Sequence, residues 1–295
     1  MEITDDKKVF IDKVIERCKL LVKYHIWDGI ELYNLDGWLQ NFSSDEQKFF
    51  ASLVLDKLIY RSNKQMISML FDLFTINLPN AMRLSSDPLY NPEELLLTKL
   101  CQNGDCKIRL VNVDPLNNKS QSSEYVLHQL RHNLGISSNF IIRLENISQE
   151  YDKGVRSFIL IDDIICTGTQ MNGNLKQIEV SKIQDAKIYV AVCCAHQKGL
   201  DFLRPKYSNV KFVYTEHLTE NDNLFSAING NEKEELWKIY EDILDSKKVN
   251  LTKGKYGIGN LALDYAFESS TPNSCLPLLY FKNDFFNPLL KKRGS

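Results

Sequence analysis

The chain has 295 residues and a formal net charge of -2, from 36 Lys and Arg against 38 Asp and Glu. With 43% hydrophobic and 25% charged residues, its composition excludes disordered and fibrous classes and, at this length, suits one large domain or two small ones. No apolar run approaches the roughly 20 residues of a membrane helix, the acidic start Met1–Asp6 does not read as a signal peptide, and seven scattered cysteines read as reduced thiols, so a cytoplasmic location is expected.

The near-neutral charge argues against a chain that holds nucleic acid mainly by electrostatics, and Lys291-Lys292-Arg293 reads as a short solvated tail. In chain order, the first 78 residues predict a small helical domain. Val9, Phe10, Val14, Cys18, Leu21 and Val22 recur at helical spacing, Ser44-Asp45-Glu46-Gln47 has the chemistry of a helix start, and Phe49, Phe50, Leu53, Val54, Leu58 and Ile59 form a wide apolar stripe. Met66, Met69, Leu70, Leu73 and Phe74 mark a third helix, with Trp27 and Trp38 between helices. Pro79, Pro88 and Pro92 fall in a polar stretch, so residues 79–92 read as a linker.

From residue 93 the pattern changes. A short helix is expected over Glu93–Cys101, then strands over Lys107–Val113 and Phe140–Leu144 with a helix from Ser123 to Leu134 between them. Glu145–Gly154 reads as a polar loop, Phe158–Ile161 as a buried strand, Asn172–Ser181 as a helix, and Ile188–Cys194 and Val210–Tyr214 as strands. This alternation implies an α/β fold with a mainly parallel sheet. Near the C-terminus, Leu261–Leu263 and Leu276–Phe281 read as extra strands about a turn at Thr271-Pro272-Asn273.

The most informative segment is Ile159-Leu160-Ile161-Asp162-Asp163-Ile164-Ile165-Cys166-Thr167-Gly168-Thr169-Gln170. A buried strand ends in two adjacent carboxylates and passes through Thr-Gly-Thr into a helix. Ligands of open α/β sheets bind at the carboxyl ends of strands, and a helix start offers free N–H groups to an anion. Gly168 permits close backbone approach. Two carboxylates accept hydrogen bonds from paired hydroxyls or hold a hydrated divalent cation. Together these suit a phosphorylated sugar with a free diol. A P-loop NTPase would need a Gly-x-x-x-x-Gly-Lys-Ser/Thr run, which is absent, and an acidic strand end of phosphatase type leaves Thr167-Gly168-Thr169 unexplained. Cys193-Cys194-Ala195-His196 and the Cys101–Cys106 pair lack the partners of a metal site.

The segment resembles the phosphoribosyl-pyrophosphate (PRPP) signature of type I phosphoribosyltransferases, and the surrounding order of elements extends the likeness over about residues 105–215. The resemblance implies that Asp162 and Asp163 face the ribose hydroxyls and hold Mg²⁺. It implies that Cys166, Thr167, Gly168, Thr169 and Gln170 bind the 5′-phosphate. The pyrophosphate loop would fall at Asp114–Ser123, with Lys119, Ser120, Gln121, Ser122 and Ser123 as donors. Ser122 or Ser123 also suits a plain helix cap. Arg131 reads as a surface residue. Glu145–Gly154 takes the place of the flexible loop that closes over the site, with Lys153 and Arg156 as charges for the leaving pyrophosphate. Two departures stand out: Cys166 replaces the acid that several purine-using members carry, and Gln170 replaces a phosphate-binding Thr or Ser.

Trp27-Asp28-Gly29, Trp38-Leu39-x-x-Phe42, Leu58-Ile59-Tyr60-Arg61 and Thr271–Pro277 are similar to a branch of phosphoribosyltransferase-like proteins of bacterial conflict systems, among them partners of retron reverse transcriptases. That likeness implies a phosphoribosyltransferase domain over residues 93–295, with a hood at about 250–285 in which Tyr280 and Phe281 are candidates for stacking or for core packing; the three helices before it are compatible with a winged-helix-like module. The partners expected are PRPP or a related ribosyl phosphate from the signature, and a defence-system protein or ribonucleoprotein from this likeness; a homo-oligomer is left open. The function expected is displacement of pyrophosphate at ribose C1. The alternatives are a non-catalytic PRPP or nucleotide sensor signalling through the helical domain, and an adaptor with a vestigial site.

Overall fold

The computed structural model describes residues 1–102, 106–115, 122–178, 183, 185–226, 228, 230–249 and 254–292. Helices α1 (Asp5–Lys23), α2 (Leu32–Leu39) and α3 (Asp45–Lys57) lead to strand β1 (Ile59–Arg61). Helix α4 (Asn63–Asp72) runs through a π-helical turn, Leu73–Asn77, into α5 (Leu78–Leu84), and α6 (Leu96–Cys101) follows. Then come β2 (Ile108–Asn112), α7 (Ser122–Leu134), β3 (Ile141–Arg143), α8 (Ile147–Asp152), β4 (Ser157–Ile165) and α9 (Thr169–Gln177). The remaining elements are β5 (Lys187–His196), α10 (Gln197–Leu203), β6 (Val210–Leu218), α11 (Gly230–Ser246) and β7 (Tyr265–Phe267).

The chain divides into two compact units, Met1–Lys64 with Thr219–Ser295, and Gln65–Leu218. This division departs from the expected boundary at residue 78. The cut falls in the first turn of α4, so the third helix of the expected N-terminal domain belongs with the sheet, and the expected hood segment groups with α1–α3.

In the first unit, α3 starts where Ser44 Oγ accepts from the Gln47 N–H (3.2 Å) and Gln47 Oε1 accepts from the Ser43 N–H (2.9 Å), a reciprocal cap. Its wide stripe, including Phe49, Phe50, Val54 and Leu55, is buried. Leu58 ends the helix, and Ile59 turns into a strand paired in parallel with Tyr265. Trp38 lies within α2, fully buried, its indole N–H donating to Leu278 O at 2.7 Å. Where strands were expected, Leu263 makes isolated bridges and Pro277–Leu279 forms a 3₁₀ turn.

The second unit holds a five-stranded, all-parallel sheet in the order β3-β2-β4-β5-β6. All nine residues of β4 are buried, as a central strand covered on both faces requires. Residues 79–92 are built into this unit rather than spanning a gap. Pro79 sits in the first turn of α5, where no donor is needed. Buried Asp87 accepts from Ser157 Oγ (2.7 Å), Tyr189 Oη (2.8 Å) and the Leu89 N–H (2.9 Å), tying the stretch to the amino ends of β4 and β5. No described helix is long and apolar enough to cross a membrane.

Candidate functional site

From β2 the chain goes to β3 on one side and then to β4 on the other, so the sheet reverses direction between β2 and β4. Ligand crevices of open parallel sheets form outside the carboxyl ends of the strands at such a point. The last β2–β4 pair is Asn112 with Ile161. Beyond it Asp162–Ile165 run on beside β5 alone, which brings the two carboxylates out at the end of β2.

Asp162 and Asp163 are 4% and 2% exposed. Buried carboxylates require donors, and local ones are present. Asp162 Oδ1 accepts from Ser122 Oγ (2.7 Å) and the Asp163 N–H (2.9 Å), and Asp162 Oδ2 from Gln170 Nε2 (3.4 Å). Asp163 Oδ1 accepts from the Ile164 N–H at 2.7 Å. The structure thus unites Asp162, Asp163, Ser122 and Gln170, which are scattered over nearly 50 positions in sequence.

Ser122 and Ser123 divide their expected roles. Ser123 Oγ accepts from the Val113 N–H (3.0 Å) at the exit of β2, while Ser122 reaches Asp162. Lys119, Ser120 and Gln121 lie outside the described residues. Arg131 is exposed and nine residues further along α7, roughly 13 Å of helix from Ser122, so it is not brought to the site.

The Cys166–Gln170 loop opens α9. Gly168 adopts φ +77° at the N-cap, and an added Cβ would sit 3.0 Å from both Gly199 O and Leu203 Cγ. Its place is therefore set by conformation and by close packing on α10. Thr167 Oγ1 bonds Thr169 Oγ1 (3.2 Å) and accepts from the Thr169 N–H (3.4 Å). Gly168 supplies no capping side chain, and the first intrahelical bond comes from the Asn172 N–H. The Gln170 and Met171 N–H groups thus lack intrahelical partners, and the positive end of the helix dipole lies there. Cys166 and Thr167 are half-buried, and Thr169 and Gln170 exposed.

The sequence reading misses three residues here. Asp114, 6% exposed, follows β2 and caps α7 by accepting the Glu124 N–H at Oδ2 (2.8 Å). Its Oδ1 is buried without a hydrogen-bond partner. Burial raises its carboxyl above the usual range; N–H donors from Glu124 and Ser123 oppose this, and the neighbouring charge of Asp163 adds to it. Asn112 Nδ2 donates to Glu124 Oε2 (2.6 Å). Arg143, at the carboxyl end of β3, donates from Nη2 to Asp114 O (3.2 Å) and pairs with Glu145 (3.3 Å). Each is hidden because a single residue at the end of a short strand leaves no periodic signal.

Lys153 and Arg156 are not part of this cluster. Glu145–Gly154 is no open loop: a 3₁₀ turn leads into α8, with Ile147 and Glu150 buried. Lys153 Nζ pairs with Glu150 (2.8 Å), which also takes Arg109 Nε (2.7 Å). Arg109 stands near the amino end of β2, beside Phe158, so it lies toward the opposite end of the strands from Asp162. Arg156 pairs with Asp185 (3.0 Å) and lies over the Tyr151 ring, beside the first residue of β4. Cys193 and Cys194 are buried in β5, where desolvation and then the Asp163 and Asp162 charges push the Cys193 thiol far up. His196 Nδ1 caps α10 by accepting the Lys198 N–H (3.1 Å).

Among the described residues no group of three or more His, Cys, Asp or Glu side chains forms a metal cage. Two adjacent carboxylates do fit a Mg²⁺ ion whose other oxygens come from ligand and water, the usual manner of that ion. The family model described as PRTase-CE matches residues 35–292. No curated protein and no solved structure matches the chain.

Proposed function

The chain belongs to the PRTase-CE family, and on that basis we propose that it binds PRPP or a related ribosyl phosphate between the ends of β2 and β4 and displaces pyrophosphate at ribose C1. One observation carries this reading: two adjacent buried carboxylates, of which Asp162 accepts from Ser122, stand one short turn from a helix start with no side-chain cap. Asp162 and Asp163 orient the ribose through its 2′- and 3′-hydroxyls. The Cys166–Gln170 loop receives the 5′-phosphate on backbone N–H groups and threonine hydroxyls. Arg143, whose guanidinium donates to Asp114 O just beyond β2, would meet the departing pyrophosphate. Mg²⁺, held by Asp162 and Asp163, would neutralise pyrophosphate charge. By likeness to conflict-system proteins, we place the activity in bacterial anti-phage defence with a retron-type partner.

A second reading has its own support. The crossover before β4 is a packed helix rather than a lid, and Lys153 stands away from the carboxylates. Both features suit a sensor that binds PRPP or a nucleotide without turnover. It would signal through the winged-helix-like N-terminal region to a nucleic-acid or protein partner.

Calorimetry with PRPP and Mg²⁺ tests binding. We expect saturable heat in the wild type and its loss, by at least about tenfold in affinity or about 1.4 kcal/mol, in Asp162→Asn/Asp163→Asn. No heat in the wild type would remove both readings. Pyrophosphate release with a panel of bases and nucleotides, abolished in the double variant, separates the transferase from the sensor.

A further inference from the structure

The first unit contains a cavity of about 540 Å³, and every residue lining it belongs to that unit. The turn after α1 and the start of α2 form one wall, β1 and β7 the back, and Tyr280–Lys292 the other wall. That last wall is held by backbone pairing. Leu279 O accepts from the Leu289 and Leu290 N–H groups (3.1 and 2.8 Å), and Lys291 O accepts from the Thr271 N–H (3.0 Å). Thr271 and Lys292 are bridged in parallel. The backbone thereby sets Lys291 and Lys292 beside the same cavity as Lys282.

The lining is graded. Tyr60 and Tyr280 are buried at its base, while Tyr33 is 73% exposed and Phe281 half-buried. Lys282, Lys291 and Lys292 are exposed. Two acids also line it. Glu268 is already committed, accepting from the Asn63 N–H and Nδ2 at 2.8 Å each, and Glu31 stands at the N-cap of α2. Three lysines thus line the cavity beside two carboxylates that are both engaged, Glu268 by Asn63 and Glu31 in the α2 capping box. The volume lies in the roughly 300–1,000 Å³ range of small-molecule sites and far exceeds one phosphate. Aromatic side chains suit a planar base, and clustered lysines suit phosphate oxygens.

We propose that this cavity binds a nucleotide, with its base on the aromatic residues and its phosphates on Lys282, Lys291 and Lys292. The proposal goes beyond the reading above, since no residue of the Asp162–Gln170 segment takes part. It is tested on the full chain carrying Asp162→Asn/Asp163→Asn, so that PRPP binding and its failure do not enter. ATP, GTP, CTP and UTP are titrated by calorimetry, with adenosine and inorganic tripolyphosphate as separate arms. We expect at least one nucleotide to bind about tenfold more tightly than either fragment. Lys282→Ala/Lys291→Ala should weaken it about tenfold and Tyr33→Ala severalfold, with unchanged melting temperature, because all three side chains are exposed. Tripolyphosphate binding as tightly as the nucleotides would reduce the cavity to a general anion site and overturn the proposal. So would binding indifferent to the lysines, or no nucleotide binding at all.

Discussion

Asp264 is 1% exposed, and neither of its carboxyl oxygens has a hydrogen-bond partner. Burial therefore raises its carboxyl well above the usual range, against a smaller pull from Lys57. The unfolded chain releases this proton near the ordinary value of about 4, while the folded chain keeps it to higher pH. Over that window the fold binds more protons than the unfolded state, so stability falls as pH rises. Asp264→Asn, neutral throughout, should flatten the fall. Urea midpoints at pH 5, 6.5 and 8 should show an advantage of the variant that grows with pH, and a constant difference would assign the cost to packing instead. Nothing in the sequence flags this residue, because Leu263-Asp264-Tyr265 reads like any short apolar stretch with one surface acid. By contrast Asp162 and Asp163 are legible, since two acids that close an apolar run and precede Thr-Gly-Thr combine diol acceptors with a phosphate cradle in a single stretch of chain.

Among elements, β4 and its loop are the most readable and α8 the least. A central parallel strand needs continuous apolar sequence, and Phe158–Ile161 supplies it. The segment Glu145–Gly154 looks polar because its helix buries only Ile147 and a paired glutamate. Glu150 and Lys153 are an ordinary i,i+3 pair, but the Arg109–Glu150 pair joins positions whose proximity no local spacing encodes. Helix α10 is equally hard to read, yet it shapes the site. A Cβ on Gly199 would lie 2.5 Å from Cys166 O and 2.7 Å from Ile165 Cγ2. Gly199→Ala should therefore displace the 166–168 loop and lower PRPP affinity about tenfold or more while leaving the far-ultraviolet circular dichroism unchanged. Wild-type affinity in that variant would show that the loop adapts. Asp87 links elements in the same hidden way. Asp87→Ala leaves Ser157 and Tyr189 hydroxyls buried without their acceptor and should cost about 2–4 kcal/mol, read from denaturant unfolding.

For the whole molecule, the parallel α/β class follows from the alternation of elements, whereas the division of the chain does not. The stripe Met66–Phe74 has the same period as the helices before it, and periodicity says which face is apolar, not what covers it. Only long-range pairing, such as Ile59 with Tyr265, shows that the first unit is made of both ends of the described chain. Cutting at the Pro-rich stretch should thus fail. We expect the fragment 65–218 to unfold cooperatively on its own and the fragment 79–295 not to, as judged by thermal melts and limited proteolysis. A cooperative 79–295 fragment would restore the boundary at residue 78.

The parallel pairing of β1 with β7 also sets a schedule for synthesis. A ribosome adding about 5–20 residues per second needs on the order of 10–30 s to pass from Lys64 to Thr219. During that interval α1–α3 are outside the tunnel without the helix and strand that cover them, and Phe50 lacks its stacking partner Tyr240. The sheet unit, being continuous, completes first. The N-terminal helices therefore wait with an apolar face open to chaperones, and premature termination between β6 and β7 yields a chain whose sheet is made but whose first unit is unfinished.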